Sequence, residues 1–427
     1  MTIEQLYQYF LECDSVSTDT RKITKNSMFF ALKGDNFNGN TFADTALKEG
    51  AKYCVVDEEA YSKNQNCLLV DDVLQTLQRL ATHHRKQLNT TIIALTGSNG
   101  KTTTKELINA VLSTQFKTSA TQGNLNNHIG VPLTLLKMTA DTDIGIVEMG
   151  ANHPKEIEFL STIALPDYGL ITNFGKAHLE GFGSIEGVIK SKSELYEHLK
   201  AHNKLIFVNE NDATQLKQTQ GYDHVFKFGT SANSDSKIEI ESTQPYVTLK
   251  YKGQLIHSHL AGTYNFNNIA VAIAIGNYFK VELHHIISAI ESYIPTNNRS
   301  QILEKGTHTI IMDAYNANPT SMIAALENFK QLENNHKVLF LGDMFELGAT
   351  AEDEHQHIVN YIESNDIGTT YLTGENFYKT KVTKQGILKF KTFDDLKEEL
   401  KQNPIKHKFI LIKGSRGMAL ERILEVI

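Results

Sequence analysis

Thr91-Ile-Ile-Ala-Leu-Thr-Gly-Ser-Asn-Gly-Lys-Thr-Thr-Thr104 is the most informative run in the chain. Its first five residues are β-prone and apolar, the next segment is rich in turn formers, and Leu107, Ile108, Val111 and Leu112 then recur at helical spacing. A buried strand, a glycine turn and a helix N-terminus in that order form an anion cradle. Successive backbone N–H groups point outward, and the glycines let phosphate oxygens approach. Gly97, Ser98, Asn99, Gly100, Lys101, Thr102 and Thr103 are therefore candidate nucleotide contacts, with Lys101 reaching the β- and γ-phosphates and the Thr102 hydroxyl ligating Mg²⁺. The strict phosphate-loop pattern is not met, because Leu95 stands where its first glycine belongs. A glycine turn with an incidental lysine is the bland alternative, and the flanking strand and helix weigh against it.

Working outward, Ile144–Val147, Tyr168–Ile171 and Leu205–Val208 read as further buried strands alternating with helices, the pattern of a parallel sheet. Glu148 ends the first of these strands, where an open parallel sheet places its ligands, and a carboxylate there can hold Mg²⁺. His178 follows the next strand and should share that rim, although a lone histidine is as often structural. Lys190-Ser-Lys192 reads as a solvated helix face. Between residues ~225 and 260, Ile238–Ile240, Tyr246–Tyr251 and Leu255–Leu260, with Lys252-Gly253 as a turn, suggest a hairpin or meander appended to the parallel core. A helix from about Asn265 to Phe279 restores the alternation.

The first ~90 residues read as a small α/β unit with strands near Ser27–Leu32, Tyr53–Val56 and Cys67–Val70 and a helix over Asp72–Leu88, on which His83 and His84 would face solvent. Tyr293–Arg299 reads as a linker. Beyond it, Thr309–Met312, Lys337–Leu341, Thr370–Leu372 and Phe409–Ile412 alternate with helical segments as a second doubly wound unit. The expected division is 1–88, 89–298 and 299–427, which suits 427 residues at roughly 150 per domain.

With 42 basic and 49 acidic residues the net charge is −7, which argues against polymeric nucleic acid as a partner. No run approaches the ~20 apolar residues needed to span a bilayer, and the N-terminus lacks the basic start and apolar core of a secretory signal. Cys13, Cys54 and Cys67 form no C-x-x-C pair and read as buried free thiols in a reducing compartment. A cytoplasmic protein without a membrane partner is expected.

Several motifs together resemble the Mur ligases of peptidoglycan synthesis. They are Thr96–Thr102, Glu148-Met-Gly-Ala-Asn-His153, Asn173-Phe-Gly-Lys-Ala-His-Leu-Glu-Gly-Phe-Gly183 and Asp313-Ala-Tyr-Asn-Ala-Asn-Pro319. Within that family, Gly123-Asn-Leu-Asn-Asn-His-Ile-Gly-Val-Pro132, the Asn-Ala-Asn-Pro run ending at Pro319 and Leu341-Gly-Asp-Met-Phe-Glu-Leu-Gly348 resemble the member that joins D-alanyl-D-alanine to UDP-muramoyl-tripeptide, and the resemblance extends to Lys413-Gly-Ser-Arg-Gly-Met418.

The resemblance implies an α/β fold of three domains: a small UDP-binding unit, a central P-loop ATPase and a C-terminal Rossmann-like unit. It implies ATP and Mg²⁺ as cofactors and a carbamylated Lys192 that joins His178 on a second Mg²⁺. It places Asn265, Asn268 and Asp313 on the nucleotide's adenosine, and Arg299 near the phosphates from across the linker. Thr20, Arg21 and Asn38 fall in the UDP region, Asn124 and Asn127 face the muramoyl-peptide, and Lys413, Ser415 and Arg416 lie on the acceptor side. A monomer is the family default. Tyr264 stands where the family often has histidine, and Asn297-Asn-Arg299 replaces a Pro-Gly-Arg type of turn. Competing functions are a folylpolyglutamate-type ligase and a nucleotide-binding regulator without turnover.

Overall fold

Three sheets organise the chain in the computed structural model, which describes residues 1–296, 298–334 and 336–427. Asn297 of the linker turn therefore lies outside the described residues.

The first sheet has four parallel strands in the order Ser15–Ser17, Ser27–Phe30, Ala51–Val56, Cys67–Leu69. Its central strands are apolar on both faces, as a covered parallel sheet requires. Met28 and Phe30 face the helices Ile3–Leu11 and Val73–Gln87, while Phe29 and Ala31 face Ala43 and Ala46. Thr2 and Gln5 close a capping box on the first helix, and the Asp72 carboxylate accepts from Gln75 N at the start of the second.

His84 departs from expectation. It is buried, its Nδ1 lies 3.1 Å from the Tyr7 hydroxyl, and its Nε2 is 2.9 Å from the Met138 carbonyl. The Val73–Gln87 helix packs against both Gly130–Leu136 and Glu156–Ala164 of the next unit, so the face taken for a solvated one is an interdomain face. His83, alongside it, lies edge-on to Tyr7. The thiols are free, with Cys54 and Cys67 buried and Cys13 half-buried.

The second sheet has nine strands in the order Gln254–His257, Thr248–Tyr251, Ser236–Ser242, Val225–Gly229, Leu205–Asn209, Tyr168–Ile171, Thr91–Thr96, Ile144–Glu148, Thr118–Ala120. Pairing is parallel from Thr118–Ala120 to Ser236–Ser242 and antiparallel for the last two strands. The expected meander is thus a continuation of the main sheet, joined to it through the short strand Val225–Gly229. Thr91–Thr96 sits between Ile144–Glu148 and Tyr168–Ile171, where the strand order reverses and a ligand crevice opens.

The third sheet has six strands, ordered Gln301–Lys305, His308–Asp313, Phe409–Lys413, Lys337–Gly342, Thr369–Thr373, Ile387–Phe390. Only Gln301–Lys305 runs antiparallel, pairing as a hairpin with His308–Asp313 directly after the linker. Among the described residues no helix is long and apolar enough to cross a membrane.

Candidate active site

A cavity of about 700 Å³ lies at the C-terminal ends of the central strands and is shared with the C-terminal unit. The phosphate loop forms its floor. Gly97 and Gly100 both have positive φ, 145° and 77°, and a Cβ at Gly97 would come within 2.0 Å of the Thr172 hydroxyl. Only glycine fits there. The loop is braced by Asn173, whose Oδ1 accepts from Asn99 N and whose Nδ2 donates to Asn99 O. Lys101 Nζ donates to Gly97 O at 2.8 Å, and burial pushes its pKa down.

Beside it the Thr102 hydroxyl donates to Glu148 Oε2 at 3.0 Å, and both side chains are buried. The other carboxylate oxygen, Oε1, accepts from Asn126 Nδ2 at 2.8 Å, and Glu148 N donates to the Thr121 hydroxyl at 3.0 Å. A hydroxyl and a carboxylate oxygen side by side are the hard donors that Mg²⁺ takes, so this pair fits the ion. Asn126 and Thr121 were not singled out from sequence. Asn124 and Asn127 line the cavity, but Asn127 Oδ1 accepts from Ile129 N and Gly130 N, and it is their neighbour that reaches the carboxylate.

His178 lines the cavity, and its Nδ1 lies 2.6 Å from Glu346 Oε2 of the C-terminal unit. That contact holds the Glu346 carboxyl below its usual range. Lys192 is fully buried behind Ala151, to whose carbonyl its Nζ donates at 3.1 Å. Its Nζ also stands 4.9 Å from the Phe182 ring centre, on a ring that His178 meets edge-on from 6.4 Å. Burial first, and then the charge of Lys101, lower its pKa to about 7. The two residues flank one aromatic ring. Among the described residues no three His, Cys, Asp or Glu side chains converge as a ready-made metal site.

The remaining candidates divide by place. Asn265 and Asn268 line the cavity as a hydrogen-bonded pair (2.8 Å), and the Thr104 hydroxyl donates to Asn268 Oδ1, tying both to the phosphate-loop helix. Arg299 lies with its guanidinium 3.5 Å from the Tyr315 ring centre, and its Nε is buried without a hydrogen-bond partner among the described residues. Asp313 takes a 2.6 Å ion pair from the buried Lys413, which faces the cavity. Ser415 is buried, its Oγ accepting from Phe345 N and donating to Ala317 O, while Arg416 is exposed beside Glu421. Thr20, Arg21 and Asn38 sit on the N-terminal unit, where Arg21 is fully solvated and paired with Asp19, and Asn38 Nδ2 donates to Glu58. Tyr264 donates to or accepts from Ser300 at 2.8 Å, bridging the linker.

Family models for the Mur ligase family catalytic domain, the Mur ligase middle domain and the Mur ligase glutamate ligase domain match residues 12–85, 95–276 and 298–416. The UDP-N-acetylmuramoyl-tripeptide--D-alanyl-D-alanine ligase of Bacillus subtilis (strain 168) is 36% identical, over 96% of this chain and 92% of that protein. The chain belongs to the Mur ligase family. The same-named Mur ligase of Escherichia coli (strain K12) is 32% identical over 97% and 93% of the two chains. Among solved Mur ligases, MurF from Acinetobacter baumannii superposes with a TM-score of 0.85 at 28% identity, covering 99% and 98%. MurF ligase from Thermotoga maritima, solved in complex with ADP, gives 0.83 at 26% identity, covering 98% and 97%.

Proposed function

We propose that this chain is the ATP-dependent ligase that joins D-alanyl-D-alanine to UDP-N-acetylmuramoyl-tripeptide, forming ADP and phosphate. The observation that carries the reading is one cavity in which the phosphate loop, the Thr102–Glu148 contact, Arg299 and the Asp313–Lys413 pair all face the same space. Domain limits of 1–88, 89–298 and 299–427 accord with the three sheets.

A carboxylate does not acylate an amine unaided, so it must first be activated. The terminal carboxylate of the tripeptide attacks the γ-phosphorus of ATP in line, the bond to the bridging oxygen breaks, and acyl phosphate and ADP result. Lys101 and Arg299 offset the charge of the transferring phosphoryl group. The amine of D-alanyl-D-alanine then attacks the acyl carbon, loses a proton, and phosphate leaves. Asn265 and Asn268 would bound the adenosine, with Asp313 and Lys413 opposite. Asn124 and Asn127 would meet the muramoyl-peptide, Thr20, Arg21 and Asn38 its UDP, and Ser415 and Arg416 the acceptor side.

Thr102 and Glu148 would hold Mg²⁺, and His178 with Lys192 as its carbamate would hold a second ion. Such ions supply positive charge to phosphoryl and carboxylate oxygens. Carbamylation needs the neutral amine, whose lone pair attacks carbon dioxide with loss of a proton. Burial of Lys192 keeps a large neutral fraction available at neutral pH. A cytoplasmic monomer is the companion proposal.

The test is phosphate release from ATP by purified protein with UDP-muramoyl-tripeptide, with and without Mg²⁺, offering D-alanyl-D-alanine or single amino acids. Mg²⁺-dependent turnover only with the dipeptide, with the matching gain in product mass, is expected. Turnover with a single amino acid would move the protein to another step of the family, and ATP binding without turnover would favour a regulator.

A further inference from the structure

We propose that Glu346 is a positioning residue that holds the His178 ring at the phosphoryl-transfer site when the C-terminal unit is docked. The proposal rests on the reading above, in which His178 works at that site. Glu346 belongs to the C-terminal unit and His178 to the central one, yet Nδ1 and Oε2 are 2.6 Å apart. Among the described residues Nδ1 is buried without a hydrogen bond, so this close charge contact is its polar neighbour.

The backbone is arranged to make this meeting. His178 and Glu346 both adopt positive φ, 53° and 61°, a region uncommon for residues with a Cβ and found where tertiary structure imposes it. Glu180 N donates to Glu346 O at 3.2 Å, so the two turns are joined through main chain as well. Two residues on, Gly348 has positive φ (53°), and a Cβ there would stand 3.3 Å from Glu180, so the two turns approach closely at this point too.

The turn that carries Glu346 is anchored from inside its own unit. The Asp343 carboxylate accepts from Asn376 N and Phe377 N, Met344 N donates to His355 Nε2, and Phe345 N donates to the Ser415 hydroxyl. Glu346 is thus presented on a rigid support, and its oxygen reaches His178 only through docking of the two units. A carboxylate held against one ring nitrogen favours the proton there and leaves the other nitrogen toward the cavity side of the ring, as outer partners orient a working histidine. The consequence is a catalytic site completed by an acceptor-domain residue that need not touch either substrate.

Full-length Glu346→Ala, Glu346→Gln, His178→Ala and the Glu346→Ala/His178→Ala double variant test this. Loss of the carboxylate should lower kcat by about 10- to 100-fold, with ADP affinity and melting temperature unchanged. Glu346→Gln should recover most of the rate, because its amide oxygen can occupy the same place against the ring nitrogen. In the His178→Ala background the second substitution should add nothing. Independently of turnover, the ring ¹⁵N shifts of His178 should move in Glu346→Ala and stay near wild type in Glu346→Gln. A kcat within twofold of wild type for Glu346→Ala, an equal loss in the His178→Ala background, or an unchanged ring signal would overturn the proposal. If wild-type protein does not ligate, the functional reading fails, and the ring signal alone then judges the Glu346–His178 contact.

Discussion

The central unit meets its two neighbours by different chemistry. Toward the N-terminus, the Val73–Gln87 helix lies on two central helices. His84 is buried there between Tyr7 and Met138, and Arg85 donates to the carbonyls of Ala164 and Leu165 and to Asp167. Toward the C-terminus, side chains and turns meet singly around the cavity: Asn318 Nδ2 with Asn99 Oδ1 at 2.7 Å, Lys176 N with the Thr320 hydroxyl at 2.9 Å, and Lys176 with Glu354 at 2.6 Å. The first contact is helix against helix with buried hydrogen bonds. The second is a set of replaceable hydrogen bonds bordering the substrate space, as suits a unit that must admit and release ligands.

The contrast breaks if damage on the site side costs folding, or damage on the far side costs turnover. The largest effect is expected at Lys192→Ala, which should lower kcat by roughly 10²–10³-fold. Added acetate or formate should restore part of that rate, because a small carboxylate can replace the missing carbamate. Absence of rescue would make Lys192 a packing residue.

Next comes His84→Ala, expected to cost about 1–3 kcal/mol in denaturant unfolding by leaving the Tyr7 hydroxyl and the Met138 carbonyl unpaired, with kcat unchanged. Burial lowers the His84 pKa below its ordinary 6.5. The unfolded chain therefore takes up this proton first as pH falls. The His84 contribution is fully present above about pH 6.5 and is lost progressively below it, a slope that His84→Ala should flatten. A variant as pH-sensitive as wild type would remove His84 from that account.

Smallest is Thr320→Val, which deletes one hydroxyl at the C-terminal contact without changing side-chain shape. One lost hydrogen bond of about 1 kcal/mol corresponds to roughly fivefold in kcat/KM for ATP, with melting unchanged. A fall in melting temperature without a kinetic change would mean that this contact is as structural as the other.

What sequence could reveal followed from locality. The phosphate loop was legible because strand, glycines and helix are contiguous, and Glu148 because a strand end fixes its place on the rim. The meander and the last doubly wound unit were legible from period and turn residues, although the strands Val225–Gly229 and Gln301–Lys305 were too short or too polar to stand out. His84 was misread because its burial depends on Met138, far away in sequence. Lys192 has the flanks of a surface lysine, and only tertiary packing buries it, so family resemblance was the one signal for it. Asn126 could not be separated from Asn124 and Asn127 by pattern, since which of three nearby asparagines meets Glu148 depends on one turn. Glu346 had no signal beyond lying in the Leu341–Gly348 motif, because its partner belongs to another unit.

The Asp343 carboxylate, with three N–H donors from Asn376 and Phe377, makes the 343–345 turn part of the C-terminal unit's folded frame. Glu346 is thus carried on a turn whose shape is set within its own unit, so a variant that loosens Asp343 should disturb the His178 side of the cavity without touching either residue of the contact.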